Sequence, residues 1–320
     1  MLPGPVRPQI ALAYLLARTT DTIADTEIIP LEGRREAMRK LRDRILGQSS
    51  QPLNLNDLAE HQIAFAEKLL LEKVEGSLAL LKRLSSYDLK LVREVLAIIM
   101  GGQHMDLTRF EKASESKVIA LESAAELDDY LYRVAGCVGE FWTRICRAHL
   151  FPKIKLDEAQ LLVDGVRLGK GLQLVNILRD LAEDLKTGRC YLPMDKLDRA
   201  GLLPEVLLSS ANEKKFLPVY HEYLDKAEGH LRAGWNYATV LPFSQARIRL
   251  ATAWPILIGM RTIEKLRASD VTELRQVVKV SRPEVRKILW RSMASYPLPH
   301  AWRKQIQSGR KAVASGPKLA

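Results

Sequence analysis

Asn176, Asp180 and Asp184 recur at every fourth position inside residues 157–185, where Leu161, Leu168, Leu172, Val175 and Leu178 keep helical period. This combination constrains the chain strongly. It predicts one long helix that buries one face and stacks three oxygen-bearing side chains on another. Lys186-Thr187-Gly188 supplies the stop, and Pro193 forbids continuation. A second ladder, Asp21 and Asp25, falls in the C-terminal half of a helix predicted over residues 9–26 and ended by Pro30. Like charges at this spacing repel by a few tenths of a kcal/mol per pair, and the C-terminal end of a helix disfavours carboxylates further. A cation relieves both. Neither cluster contains Cys or His, so the donors are hard oxygens, the set that suits Mg2+.

Cations accompany both ladders. Arg18 precedes Asp21 by one helical turn, while Arg179, Lys186 and Arg189 flank the second cluster. Carboxylates and guanidinium groups together suit a ligand that takes both metal and direct cationic contacts, as a diphosphate ester does.

Further helices are predicted over residues 34–46, 56–84, 87–106 and 127–150. Residues 213–268 read as helices broken at Leu241-Pro242, with Trp254-Pro255 marking a kink or a new start. No alternation is sustained long enough to predict a sheet. The expected organisation is a single all-α domain over residues 1–298, followed by a frayed basic tail, 299–320, that carries Arg303, Lys304, Arg310, Lys311 and Lys318. Trp235, Trp254 and Trp290 are read as core. Gly165, Gly169 and Gly171, with Gly136 and Gly139, interrupt the central helices at ~1 kcal/mol each relative to alanine. Either helices approach closely there, or a wall is cleared for a long apolar ligand.

Composition narrows the partners. The net charge is +11 over 320 residues, compatible with an anionic substrate, an anionic membrane surface or nucleic acid. The cations are dispersed and no nucleic-acid motif appears, so nucleic acid is set aside. Cys137, Cys146 and Cys190 lack metal-ligand spacing and point to packing roles in a reducing compartment, the cytoplasm. No apolar run reaches the roughly 20 residues that span a bilayer.

Read in full, Gln173-Leu174-Val175-Asn176-Ile177-Leu178-Arg179-Asp180, with Asp184 and the exit Gly188-Arg189-Cys190-Tyr191-Leu192-Pro193, resembles the signature of the squalene and phytoene synthase family. Ala17-Arg18-Thr19-Thr20-Asp21-Thr22-Ile23-Ala24-Asp25 is similar to that family's first aspartate motif, and residues 130–139, Tyr-Leu-Tyr-Arg-Val-Ala-Gly-Cys-Val-Gly, to its tyrosine segment. The motifs occur in the family's order. The family helix that precedes the first motif, with its Ser-Arg-x-Phe stretch, has no counterpart here.

The resemblance implies an all-α isoprenoid-synthase bundle around a central cavity, with two aspartate-bearing helices facing each other. It implies head-to-head joining of two farnesyl diphosphates through presqualene diphosphate to squalene. Asp21, Asp25, Asn176, Asp180 and Asp184 would hold Mg2+. Arg18, Gln173, Arg179 and Arg189 would contact diphosphate or order the ligands, and Tyr132 and Tyr191 would lie at the reacting end with Asp21 and Asp180. Val278-Lys279-Val280-Ser281-Arg282 is similar to a stretch associated with NADPH, which assigns Lys279 and Arg282 to that cofactor, although Ser281 replaces a cation. The other readings are a dehydrosqualene or phytoene synthase that needs no reductant, a terpene cyclase on the same fold, and an inactive relative acting in assembly or lipid binding. Lipid-soluble products and a basic surface add an expected peripheral contact with anionic membrane.

Overall fold

The computed structural model describes residues 2–307 and is almost entirely helical, in two compact units. The first comprises residues 3–111 and 140–154. It is built on α1 (Arg7–Asp25), which packs against α2 (Leu31–Leu46), α4 (Phe65–Glu72), α5 (Val74–Leu81) and α6 (Ser86–Arg109), with α3 (Asn56–Glu60) beside α4. Leu12, Leu16, Thr19 and Ile23 form the buried stripe of α1, at the three- and four-residue spacing of a core-facing helix. Arg18, Asp21 and Asp25 lie outside that stripe.

The single helix expected over residues 56–84 is instead three. Gln62 explains the first break: its Nε2 donates to the Thr26 hydroxyl at 2.8 Å and to the Leu58 carbonyl at 3.0 Å, which draws the chain back onto the end of α1. Ala64 then takes an extended conformation before α4 restarts.

Residues 112–139 and 155–307 form the second unit. A short strand β1 (Ile119–Leu121) leads to α7 (Ala124–Leu131), a π-helical segment (Tyr132–Gly136) and α8 (Cys137–Leu150), of which the residues from Glu140 belong to the first unit. There follow α9 (Glu158–Lys186), β2 (Arg189–Pro193), α10 (Met194–Arg199), α11 (Glu213–Val240), α12 (Ala246–Ala268), α13 (Val271–Leu274), α14 (Arg282–Ser295) and α15 (Pro299–Lys304). The centre is α9, which packs on α11, α12, the π-helical segment and β2. Leu174, Val175, Ile177, Leu178, Leu181 and Ala182 are buried, and the Tyr220 hydroxyl donates to the Leu178 carbonyl at 2.8 Å.

Contrary to expectation there is a small parallel sheet, in which Ile119 pairs with Arg189 and Ala120 with Cys190. Strands this short carry too few residues for alternation to register. The glycines resolve toward close helix contact: a Cβ on Gly139 would stand 1.9 Å from the Gly165 carbonyl oxygen, and one on Gly169 would stand 2.1 Å from that of Ala135. Pro255 lies within α12 and starts no helix.

The frayed tail expected from residue 299 does not begin there. Residues Pro299–Lys304 are helical because Trp302, 1% exposed, stacks on Trp235 at 5.2 Å and meets Tyr296 edge-on at 5.3 Å. The buried Arg249 guanidinium adds cation-π contacts to Phe243, Tyr296 and Trp302 at 5.4–5.8 Å. The remainder of that basic stretch, residues 308–320, lies outside the described residues. Trp290, read as core, is 72% exposed.

Candidate active site

Asp21 and Asp25 sit one turn apart near the end of α1, Asp21 half-buried and Asp25 exposed. Asp21 accepts a hydrogen bond from Gln103 of α6, and Arg18, one turn earlier, pairs with Glu67 of α4. Burial pushes the Asp21 carboxyl above the ordinary aspartate range, and the Asp25 charge pushes it further, against the lowering effect of Gln103 and Arg18. Arg34 donates to the Ala24 carbonyl at 2.6 Å, placing a cation at the helix end that the two carboxylates destabilise.

The second ladder occupies the half-exposed face of α9. Gln173, Asn176, Asp180 and Asp184 are all half-buried, while the intervening Leu174, Val175, Ile177, Leu178, Leu181 and Ala182 fill the core. Asp180 is held by its neighbour Arg179 in a two-pronged ion pair, Nε to Oδ1 at 2.7 Å and Nη2 to Oδ2 at 2.5 Å. Arg189 is carried on β2, the first strand residue past the Gly188 turn, whose φ of +79° suits glycine. Tyr191, two residues on, is buried and stacks on Tyr130 with centroids 4.9 Å apart.

Tyr132 opens the π-helical segment, a local widening frequent at functional sites. The Lys170 ammonium lies 5.8 Å from its ring centroid and is itself bound to Asp128 at 2.7 Å. A protein cation therefore already engages the ring of the tyrosine that the resemblance places at the reacting end. Gln103, Glu67, Tyr130 and Lys170 escaped sequence reasoning. The first two reach α1 from distant segments and left no local signal, whereas Tyr130 stood within the quoted tyrosine segment.

Among the described residues, no three His, Cys, Asp or Glu side chains are close enough to hold a metal ion by themselves. That is compatible with Mg2+, which commonly binds through one or two carboxylates and completes its shell with water and phosphate. A half-buried carboxylate whose charged form is disfavoured by burial and by an acidic neighbour is one that such a cation would relieve. Asp21 with Asp25 thus fits the ion as a pair of oxygen donors one turn apart on α1.

Lys279 and Arg282 are exposed, at the entry to α14. Ser281 between them caps that helix, its N–H and hydroxyl both directed at Glu284. Glu284 also accepts from Lys265 and Arg261, and these bonds hold its carboxyl well below the usual range. A carboxylate engaged by three partners thus stands two residues past Arg282, while the side chains of Lys279 and Arg282 are exposed.

The squalene/phytoene synthase profile matches residues 1–284. A presqualene diphosphate synthase of Sinorhizobium fredii is 31% identical over 203 residues, 63% of this chain and 58% of that protein. A bifunctional lycopene cyclase/phytoene synthase of Colletotrichum graminicola is 31% identical over 235 residues, 72% of this chain and 37% of that protein. The chain spans less than two thirds of the length of these curated relatives. Among solved structures, TcSQS with a bound ligand superposes with a TM-score of 0.77 at 20% identity, over 100% of this chain and 87% of the other. That likeness identifies the all-helical isoprenoid-synthase fold.

Proposed function

The chain belongs to the squalene/phytoene synthase family, and from that premise we propose that it joins two prenyl diphosphates head to head, with farnesyl diphosphate as substrate and presqualene diphosphate as the first product. The observation that carries this reading is the pair of acidic ladders, each with its own arginine: Asp21 and Asp25 with Arg18, and Asn176, Asp180 and Asp184 with Arg179.

Expelling diphosphate from an allylic carbon leaves a carbocation and a highly charged leaving group, so the oxygens must be neutralised as the bond breaks. Mg2+, when bound, supplies that charge without proton transfer. The arginines do the rest. Arg179 is paired with Asp180 and Arg18 with Glu67, so substrate oxygens would take over guanidinium donors that are already oriented. The stacked rings of Tyr130 and Tyr191 offer a buried aromatic surface for the reacting end. No protein nucleophile is required, and departing diphosphate can accept the proton.

Reduction to squalene with NADPH is the finer reading. It rests on the Val278–Arg282 resemblance alone, and the engagement of Ser281 and Glu284 weighs against that segment as the cofactor's seat. Relatives named presqualene diphosphate synthase and phytoene synthase support the non-reductive product. The test incubates the protein with farnesyl diphosphate and Mg2+, with and without NADPH, and identifies the extracted products by mass. Presqualene diphosphate or a C30 hydrocarbon supports the proposal, and squalene only with NADPH would restore the reductive reading. Asp180→Asn should reduce turnover at least roughly 100-fold with the melting temperature retained. Near-wild-type turnover by that variant would remove the assignment.

A further inference from the structure

We infer that the outer face of α14 is a docking surface for an anionic lipid bilayer. Pro283, Arg286, Lys287, Trp290, Met293 and Ala294 are all exposed and recur at three- and four-residue spacing, so they share one side of the helix. Trp290 is 72% exposed and Met293 follows one turn later; Leu298, just beyond the helix, is 60% exposed. The opposite side is anchored: Ser292 is fully buried and accepts from the Trp254 indole at 2.9 Å.

Charge selects the occupant. The acid within α14 is Glu284, and it is turned toward α12, where Arg261 and Lys265 bind it. Arg282 and Arg286 therefore lie on the tryptophan's side of the helix, turned away from Glu284, while Lys287 stands at its edge and lines a hollow shared with Glu264 and Glu284; exposed Arg303 and Lys304 follow on α15. An indole at headgroup depth ringed by cations is the composition of an interfacial helix. No helix among the described residues is long and apolar enough to cross a membrane, so the contact is a surface one. This inference is independent of the reaction, because α14 lies almost wholly beyond residue 284, where the family match ends.

The test is co-sedimentation of the full chain with vesicles of phosphatidylcholine alone and with roughly a third phosphatidylglycerol. Binding should require the anionic lipid. Trp290→Ala and the pair Arg286→Glu/Lys287→Glu should each weaken it by roughly tenfold or more. Lys40→Glu/Arg42→Glu, the same charge change on α2, should leave it within about twofold. Quenching of tryptophan emission by brominated lipid should disappear in Trp290→Phe. Equal binding to neutral vesicles, or equal losses in the α2 control, would overturn the inference. So would light scattering that finds a dimer dissociated by Trp290→Ala without lipid, since a second copy would then cover this face.

Discussion

Gly139 and Gly165 meet backbone to backbone, so close that a Cβ on Gly139 would lie 1.9 Å from the Gly165 carbonyl oxygen. The helix that carries the second aspartate ladder is thus seated by contacts that admit no side chain. Gly139→Ala and Gly169→Ala should each cost roughly 3 kcal/mol or more, at the upper end of overpacking effects. Gly229→Ala has the opposite sign: it sits inside α11 with nothing within 4 Å of its Cβ position, and should gain ~0.5–1 kcal/mol. Thermal melts of the three variants decide it, and a neutral Gly139→Ala would mean the helices separate easily.

Asp21 predicts a trade between stability and function. Its carboxyl is raised by burial and by Asp25, so the folded chain holds a proton at pH values where the unfolded chain has lost it. Stability contributed by this group therefore falls as pH rises through that window above the ordinary aspartate value of about 4. Asp21→Asn should be more stable than wild type at neutral pH by a few tenths of a kcal/mol, the size of one relieved like-charge pair, and the advantage should shrink toward pH 4. Urea midpoints across that range provide the measurement. A pH-independent difference would argue against the electrostatic origin.

The positions of α1, α2, α6 and α9 were legible because apolar period and punctuation agree there, and so were the two ladders, since both lie within single helices. The partners of those ladders were not. Glu67 reaches Arg18, and Gln103 reaches Asp21, across 49 and 82 residues of chain, and no local pattern encodes such a meeting. Trp290 failed for a related reason: a tryptophan in a helical pattern looks the same whether its face meets the core or solvent.

Asp88 should govern part of the acid limb. Burial alone would raise its carboxyl, but hydrogen bonds from Gln9 at 3.0 Å and His149 at 2.7 Å outweigh it and hold it below the ordinary value. The stability it contributes is present above the unfolded value of about 4 and is lost as pH falls through the lower folded value. Asp88→Asn should cost roughly 1–3 kcal/mol at neutral pH and flatten the decline of stability below pH 4. Chemical denaturation at pH 7 and at acid pH tests both parts, and an unchanged acid limb would remove Asp88 from it.

The three cysteines should be silent in the folded protein. All are buried, and burial pushes the Cys146 and Cys190 thiols up to about 12. A thiol reagent at mildly alkaline pH should label none of them natively and all three after denaturation. Fast native labelling would show that one is exposed by local opening.

His149 comes to Asp88 from a piece of chain that follows residues 112–139, a stretch of the second unit. At the ribosome's pace of about 5–20 residues per second, the first unit must therefore wait several seconds for its closing segment. Until then Asp88, which already accepts from Gln9 of α1, lacks its His149 partner. The segment that completes the first unit is delivered only after synthesis of the second has begun, so neither can be cut out as one continuous fragment.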